Sequence, residues 1–106
     1  MTTITYYEGK DEISIEIKGH CGYAEEGSDI VCSAVSMLAQ TLVSYLIAEG
    51  DDVRYTIRSG YVWCYSKGDK AKQAMKVIMC GYYRLAENYP DYVELVKGCS
   101  IQANSA

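Results

Sequence analysis

The sequence contains a single histidine, His20, and a cysteine, Cys32, twelve residues further along the chain. A thiol attacks other molecules only as a thiolate, and a free thiol with a pKa of about 8.5 is mostly protonated at neutral pH. An imidazole beside the thiol takes up its proton and forms a thiolate–imidazolium pair. These residue types predict nucleophilic attack on a carbonyl, provided that the fold brings the two side chains together.

A long helix is predicted to begin just before Cys32. Ser28 or Asp29 can cap this helix, because either side chain accepts a hydrogen bond from a free amide of the first turn. With Asp29 as the cap, Cys32 is the third helical residue, where the helix dipole favours an anion. We expect the amides of Cys32 and Ser33 to receive the oxyanion that forms during attack on a carbonyl. Asp29 either orients the imidazole or only caps the helix.

The segment between His20 and the helix has no hydrophobic period and carries glycines at positions 19, 22 and 27. Glycine adopts conformations that other residues avoid, so this segment is predicted to be a permissive loop. Such a loop can fold His20 back over the start of the helix. We expect the 19–27 loop to close on a bound peptide, so that the two side chains lie further apart in an unliganded structure.

The elements that must position this loop follow from hydrophobic periodicity. Ile13, Ile15 and Ile17 alternate with polar residues, which is typical of a strand with one buried face. Gly50 is predicted to end the first helix in a left-handed conformation, Asp69 to cap the second helix, and Pro90 to terminate it. The predicted strands are 3–7, 12–18, 53–58, 61–66 and 92–97, and the first predicted helix is 29–49.

The order of elements is therefore β-β-α-β-β-α-β in one domain that covers residues 1–106. This order predicts an α+β fold of two layers, in which both helices lie on one face of a five-stranded, mostly antiparallel sheet. The first helix is apolar nearly all round, whereas a surface helix has a narrower apolar stripe. We expect this helix to be buried on a second side as well, by the other helix or by another subunit.

Composition excludes several classes of function. The chain has 106 residues, 49% of them hydrophobic, and a formal charge of −4, so a clustered basic face for nucleic-acid binding is not expected. The N-terminus has no basic region followed by an apolar run, as a signal peptide would. We also expect no membrane contact, because no stretch reaches about 18 apolar residues. Five cysteines at irregular spacings suggest reduced thiols in the cytoplasm.

A metal site is not expected, and neither is a cofactor. His20, Cys21 and Cys32 could in principle bind zinc, but adjacent histidine and cysteine residues are poorly spaced for a tetrahedral site, and the chain has no C-x-x-C motif. The remaining thiols are interpreted as structural: Cys64, Cys80 and Cys99.

The residues around the loop resemble a known family. Gly19–His20, Gly27, the block Asp29–Cys32 and Ser36 are similar to the signature of the bacterial ribosomal-processing cysteine proteases called Prp. The resemblance implies that Cys32 is the nucleophile and His20 its partner, with Asp29, Ser36, Gly27 and Ser33 in support. It also implies a homodimeric α/β protein that removes a short N-terminal extension from a large-subunit ribosomal protein, number twenty-seven in the bacterial scheme. Such extensions are hydrophobic and end in aromatic residues before the cut.

Two residues depart from that signature. Cys21 and Ser33 stand where the family more often has alanine. Cys21, beside His20, can compete with Cys32 for oxidation or for a metal. Ser36, one helical turn after Cys32, either bonds back to a carbonyl or braces the loop.

Two other functions remain open from the residues. The first is a non-catalytic module that uses the same loop to hold a ribosomal or peptide partner. The second is a redox-sensing protein in which Cys21 and Cys32 form a reversible disulfide. Alkylation at mildly acidic pH separates these from a protease, because only an activated Cys32 should react ahead of the other four thiols.

Overall fold

The computed structural model describes residues 1–25 and 29–101 of the chain. Within these residues lie five strands and two helices in the predicted order β-β-α-β-β-α-β, which confirms the α+β class. The elements are β1 (Thr2–Glu8), β2 (Glu12–Lys18), α1 (Ile30–Glu49), β3 (Asp51–Arg58), β4 (Tyr61–Lys67), α2 (Asp69–Asn88) and β5 (Val93–Lys97). Gly27 and the alternative cap Ser28 lie outside the described residues.

The strands form one mixed sheet in the order β3-β4-β2-β1-β5. Neighbouring strands are antiparallel except for β1 and β5, which pair in parallel because the chain returns to the sheet through α2. The edge strand β3 is irregular near its start, where Asp52 has a φ of 50° and the register with β4 shifts. The order of the strands places the end of β2 next to the turn between β3 and β4.

The core lies between the sheet and the helices. Ile13, Ile15 and Ile17 of β2 are 0%, 1% and 5% exposed, so the predicted alternation is confirmed. Full burial of one such side chain contributes about 1.5–3 kcal/mol to folding. Both helices contribute to the same hydrophobic cluster, which places them together on one face of the sheet. Their buried members include Val35, Leu42, Leu46, Met75, Ile78 and Tyr82.

The opposite face of the sheet is covered by aromatic side chains of β4. The Tyr61 hydroxyl donates to Glu16 at 3.0 Å, and the Tyr65 hydroxyl donates to Glu12 at 2.7 Å. The bond to Glu12, together with burial, raises the pKa of Tyr65 to about 12. The Arg58 guanidinium lies 4.4 Å from the centre of the Tyr61 ring. These pairs account for part of the high tyrosine content, since each ring covers the sheet while its hydroxyl remains satisfied.

The first helix ends at Glu49 as predicted, but two predicted capping roles are wrong. Gly50 follows α1 with a φ of −79°, which is extended, because the chain passes directly into β3. A Cβ atom at Gly50 would lie 2.7 Å from the Ser66 hydroxyl, so the position requires glycine for space. At α2 the cap is Gly68, and Asp69 is the first helical residue. There its charge complements the helix dipole. The second helix does end at Asn88, before Pro90, as predicted.

Helix α1 has more apolar side chains than are buried in the core. Its 20 residues are long and apolar enough to cross a membrane, contrary to the sequence-based expectation. However, one side of α1 lies in the core against the sheet and α2, as in the core helix of a globular domain. The expected second side of burial is only partly present, because Met37 and Ile47 are 63% and 58% exposed.

Candidate active site

The loop that follows β2 turns sharply away from the sheet at Gly19. Gly19 has a φ of +97°, and its amide donates to the Gly60 carbonyl at 2.9 Å. A Cβ atom at Gly19 would lie 2.7 Å from the backbone oxygen of Met1, so a larger residue there would be strained and crowded. This turn fixes the backbone of His20 beside the turn that joins β3 and β4.

Asp29 joins the loop to the start of α1. One oxygen of its carboxylate accepts from the Cys32 amide at 2.8 Å, and the other accepts from the amides of Tyr23 and Ala24 at 3.0 and 3.4 Å. Burial of Asp29 acts to raise its pKa, but these amides outweigh burial and hold the pKa below its ordinary value. Asp29 therefore caps the helix, and the same charge also holds the beginning of the loop against it.

Cys32 is the third residue of α1, as predicted, and its side chain is partly buried. The positive end of the helix dipole lies at this position. Asp29, however, places a negative charge in the same turn, and this charge offsets part of the dipole. The predicted attack by Cys32 therefore depends on a base that comes from outside the helix.

His20 is the side chain predicted to act as this base. His20 and Cys32 line the same cavity of about 480 Å³ above the helix terminus. The imidazole is exposed and lies over Gly60, and no hydrogen bond joins it to Cys32 among the described residues. The two predicted reactive side chains thus share one cavity without bonding to each other in this unliganded state.

The two amides predicted to receive the oxyanion are both hydrogen-bonded in this unliganded state. The Cys32 amide donates to the Asp29 carboxylate, and the Ser33 amide donates to the Asp29 carbonyl at 3.0 Å. Both amides are therefore engaged before any substrate arrives. Side chains that line the cavity offer further donors for a carbonyl oxygen.

Those side chains lie along one face of α1. Ser33, Ser36 and Gln40 all line the cavity that contains Cys32. The Gln40 amide nitrogen donates to the Ser36 hydroxyl at 2.9 Å, which leaves its second hydrogen and the Ser36 hydrogen available. Sequence reasoning missed Gln40, although residues four and eight positions after Cys32 share its helical face. Ser36 bonds to Gln40, and no bond joins it to the loop residues that the structure describes.

Cys21 lies inside the fold at this site. Its side chain is 2% exposed, and its sulfur lies 3.2 Å from the Thr2 hydroxyl. Burial raises the pKa of the Cys21 thiol, its hydrogen bond with Thr2 opposes the rise, and the neighbouring Cys32 thiol adds to it. Cys21 is therefore a protonated thiol within interaction range of the exposed end of Cys32.

Tyr23 attaches the loop to the β5 edge of the sheet. Its ring makes edge-on contacts with Tyr89 and Tyr92, with ring centres 5.6 and 5.2 Å apart. These two tyrosines lie between α2 and β5. Together with Asp29, the tyrosine contacts hold the described part of the loop at two points.

The other thiols lie away from this cavity. Cys64 is fully buried, and burial raises its pKa to about 12. Cys80 and Cys99 are exposed, so the structural interpretation fits only Cys64. Within residues 1–25 and 29–101, no group of three or more histidine, cysteine or acidic side chains is arranged to hold a metal ion.

Comparison with solved structures shows the same fold in proteins of two bacteria. The ribosomal processing protease Prp of Staphylococcus aureus, crystallised with a covalently linked product peptide, superposes with a TM-score of 0.80 at 22% identity, over 92% of this chain and 100% of that chain. The same S. aureus protease with a substrate peptide gives a TM-score of 0.75 at 17% identity and the same coverage. The protein SMU.848 of Streptococcus mutans gives 0.66 at 28% identity, over 92% and 96% of the two chains.

Comparison with curated proteins gives no match. The model of the family described as cysteine protease Prp matches residues 1–94, which include every described residue of the cavity. The chain therefore belongs to the Prp family of cysteine proteases.

Proposed function

We propose that this protein is a cytoplasmic cysteine endopeptidase that removes a short N-terminal extension from a large-subunit ribosomal protein, number twenty-seven in the bacterial scheme. The observation that carries the proposal is the cavity that contains both Cys32 and His20 at a helix N-terminus. The S. aureus relative is a ribosomal processing protease crystallised with peptides. This relation supports both the peptide chemistry and the ribosomal substrate.

In the proposed reaction, the substrate peptide brings the His20 imidazole onto Cys32, and the thiol proton passes to the imidazole. The thiolate attacks the carbonyl carbon of the scissile bond, and the imidazolium then protonates the departing amine. A water molecule, deprotonated by the same imidazole, hydrolyses the thioester that remains on Cys32. The carbonyl oxygen receives hydrogen bonds from the side chains of Ser36 and Gln40 during both steps.

The substrate has room to lie in an extended form across the site. A second cavity of about 240 Å³ also contains His20 and Cys32, and it continues past Gln40 to the β3–β4 turn. Met37 and Ile57 lie at the outer walls of the two cavities and are 63% and 48% exposed. Apolar residues of the extension would cover these side chains, which matches the hydrophobic extension proposed as substrate.

A homodimer is part of the same proposal. Tyr45, Ile47 and Val77 expose large apolar side chains on the two helices, with 42%, 58% and 65% of their surfaces accessible. A second copy would remove these surfaces from water. Sedimentation equilibrium measures the oligomeric state directly. Ile47→Asp should shift the population towards monomer. A parent chain that sediments as a monomer at all concentrations contradicts the dimer.

The decisive experiment is incubation with the host's own ribosomal protein, extension included, followed by intact-mass measurement. We expect one cut at the end of the extension, and no cut with Cys32→Ala or His20→Ala. Cys80→Ala is the matched control, because it removes an exposed thiol of α2 away from the cavity. Full activity of either active-site variant excludes the mechanism, and binding without cleavage by the unmodified protein favours the non-catalytic module.

A further inference from the structure

The thiols of Cys21 and Cys32 lie near each other at the active-site cavity. Cys32 lines the cavity, and its thiol is near enough to Cys21 to contribute to the raised pKa of the Cys21 thiol. Cys21 belongs to the buried cluster against which Cys32 packs. One thiol is thus reached from the solvent, whereas the other is buried in the core.

Hydrogen bonds to Asp29 connect the segment that follows Cys21 with the backbone of Cys32. The Asp29 carboxylate accepts from the Tyr23 amide, two residues after Cys21, and from the Cys32 amide. The Thr2 hydroxyl, 3.2 Å from the Cys21 sulfur, fixes that thiol from the side of β1. The pair is therefore part of the folded site and does not depend on a chance encounter of mobile side chains.

We propose that Cys21 is a resolving thiol that converts Cys32, once oxidised by a hydroperoxide, into a reversible intramolecular disulfide. The proposal rests on the proposed function in one respect, since it makes the disulfide an off state of the protease. It assigns a role to a thiol that the proteolytic mechanism does not use.

The chemistry proceeds in two steps. The Cys32 sulfur attacks one oxygen of hydrogen peroxide, the O–O bond breaks, and the released hydroxide takes up a proton to become water. The sulfenic acid formed on Cys32 is then attacked by the Cys21 sulfur, so that the S–S bond forms and the S–O bond breaks. The leaving hydroxide takes the Cys21 proton. Two thiols and one peroxide thus give one disulfide and two waters.

The arrangement determines which thiol has which role. Cys32 is at the helix terminus and faces the cavity, so the oxidant reaches it first. Cys21 is 2% exposed and is protected from peroxide in solution. A dithiol reductant attacks the disulfide from the cavity at Cys32 and restores both thiols. The disulfide would also prevent further, irreversible oxidation of the nucleophile.

The test uses the full chain with Cys80→Ser and Cys99→Ser, which removes the two exposed thiols that could form disulfides between molecules. Stoichiometric hydrogen peroxide should lower the intact mass by two hydrogen atoms, and peptide mapping should link Cys21 to Cys32. Dithiothreitol should restore the mass and all of the cleavage activity. Cys64, which is fully buried, should remain alkylatable after unfolding.

Cys21→Ala is the informative variant, with Cys21→Ser as a second choice if the alanine variant folds poorly. Each should cleave substrate like the parent before oxidation. After peroxide, each should gain oxygen atoms on Cys32 and lose its activity irreversibly. A parent protein that gains oxygen and forms no Cys21–Cys32 link overturns the proposal.

The two proposals fail separately. A disulfide that forms in a protein without activity on the ribosomal substrate leaves the thiol pair supported and removes the proteolytic function. Cleavage by a protein in which peroxide gives no disulfide leaves the protease intact and removes the resolving role of Cys21.

Discussion

The His20 imidazole rests on Gly60: a Cβ atom at Gly60 would lie 2.9 Å from the Nε2 atom of His20. Gly60 belongs to the turn between β3 and β4 and has a φ of +70°. The proposed general base is therefore positioned by a residue forty positions later in the chain, in another hairpin.

Gly60→Ala should displace the imidazole and slow cleavage. The added methyl group would occupy the place against which the ring lies, and a misplacement of about 1 Å can reduce the rate about 10²-fold. The measurement is the initial rate of extension removal, together with stability in urea, because alanine at this φ also costs about 1–2 kcal/mol.

Gly68→Ala is the matched control for that backbone strain. Gly68 has a φ of +99°, and the nearest atom to an added Cβ would be the Asp51 Cβ at 3.9 Å. This variant should lose similar stability and retain its cleavage rate. Equal rates for the two variants would contradict the positioning of His20 by Gly60.

Asp29→Ala should destabilise the protein by about 1 kcal/mol at neutral pH, because the helix loses its cap. Asp29→Asn retains the acceptor for the Cys32 amide, so it should lose less stability. The side-chain nitrogen of the Asp29→Asn variant cannot accept the hydrogen bond that the Tyr23 amide donates to the Asp29 carboxylate, however, so the loop should be held less firmly. Urea denaturation gives the stabilities, and the cleavage rate reports on the loop. Equal stability of the parent, Asp29→Ala and Asp29→Asn would contradict the capping role of Asp29.

The stabilising effect of Asp29 should disappear in acid. Its pKa is lowered from an ordinary value of 3.8 by its backbone amides, against the effect of burial. A lowered pKa means that folding favours the carboxylate, so the contribution is complete above the unfolded value and is lost as the pH falls through the lower folded value. The difference in urea stability between the parent and Asp29→Asn should therefore shrink below pH 3.8. A constant difference across this range contradicts the prediction.

Tyr23→Ala should weaken substrate binding more than it weakens the fold. It removes two edge-on aromatic contacts, each worth about 0.5–1.5 kcal/mol, that hold the loop against Tyr89 and Tyr92. We expect a higher KM for the ribosomal substrate. Tyr23→Phe retains the ring, so it should behave like the parent. A phenylalanine variant as impaired as the alanine variant would indicate a role for the hydroxyl instead.

Local patterns determined most of the architecture. The alternation of Ile13, Ile15 and Ile17 predicted β2, and the cap at Asp29 predicted the start of α1 and hence the place of Cys32. The left-handed conformation predicted for Gly50 is wrong because a glycine after a helix has two uses: it permits a left-handed turn, or it leaves space for a neighbouring side chain. Here it provides space beside Ser66 and not a left-handed turn, and Ser66 is brought there by β4.

The details of the site depend on contacts that sequence patterns do not contain. A residue that caps a helix occupies the amide that would otherwise serve as an oxyanion donor, and Asp29 occupies the amide of Cys32. The neighbouring Ser33 amide enters the helical hydrogen-bond ladder. The position of His20 likewise depends on Gly60, a partner distant in sequence. Periodicity and motif spacing report only neighbours along the chain.

Gln40 is the donor that replaces the occupied amides in our proposal. Its amide nitrogen, held by the Ser36 hydroxyl at 2.9 Å, has a second hydrogen for the substrate carbonyl in the cavity beside Cys32. Loss of one such donor reduces kcat about 10²–10³-fold. Gln40→Leu should show this loss in kcat with little change in KM, because the bond strengthens only as charge develops on the oxygen. Gln73→Leu makes the same chemical change at an exposed position of α2 and should leave kcat unaltered. A loss confined to KM would make Gln40 a binding residue only.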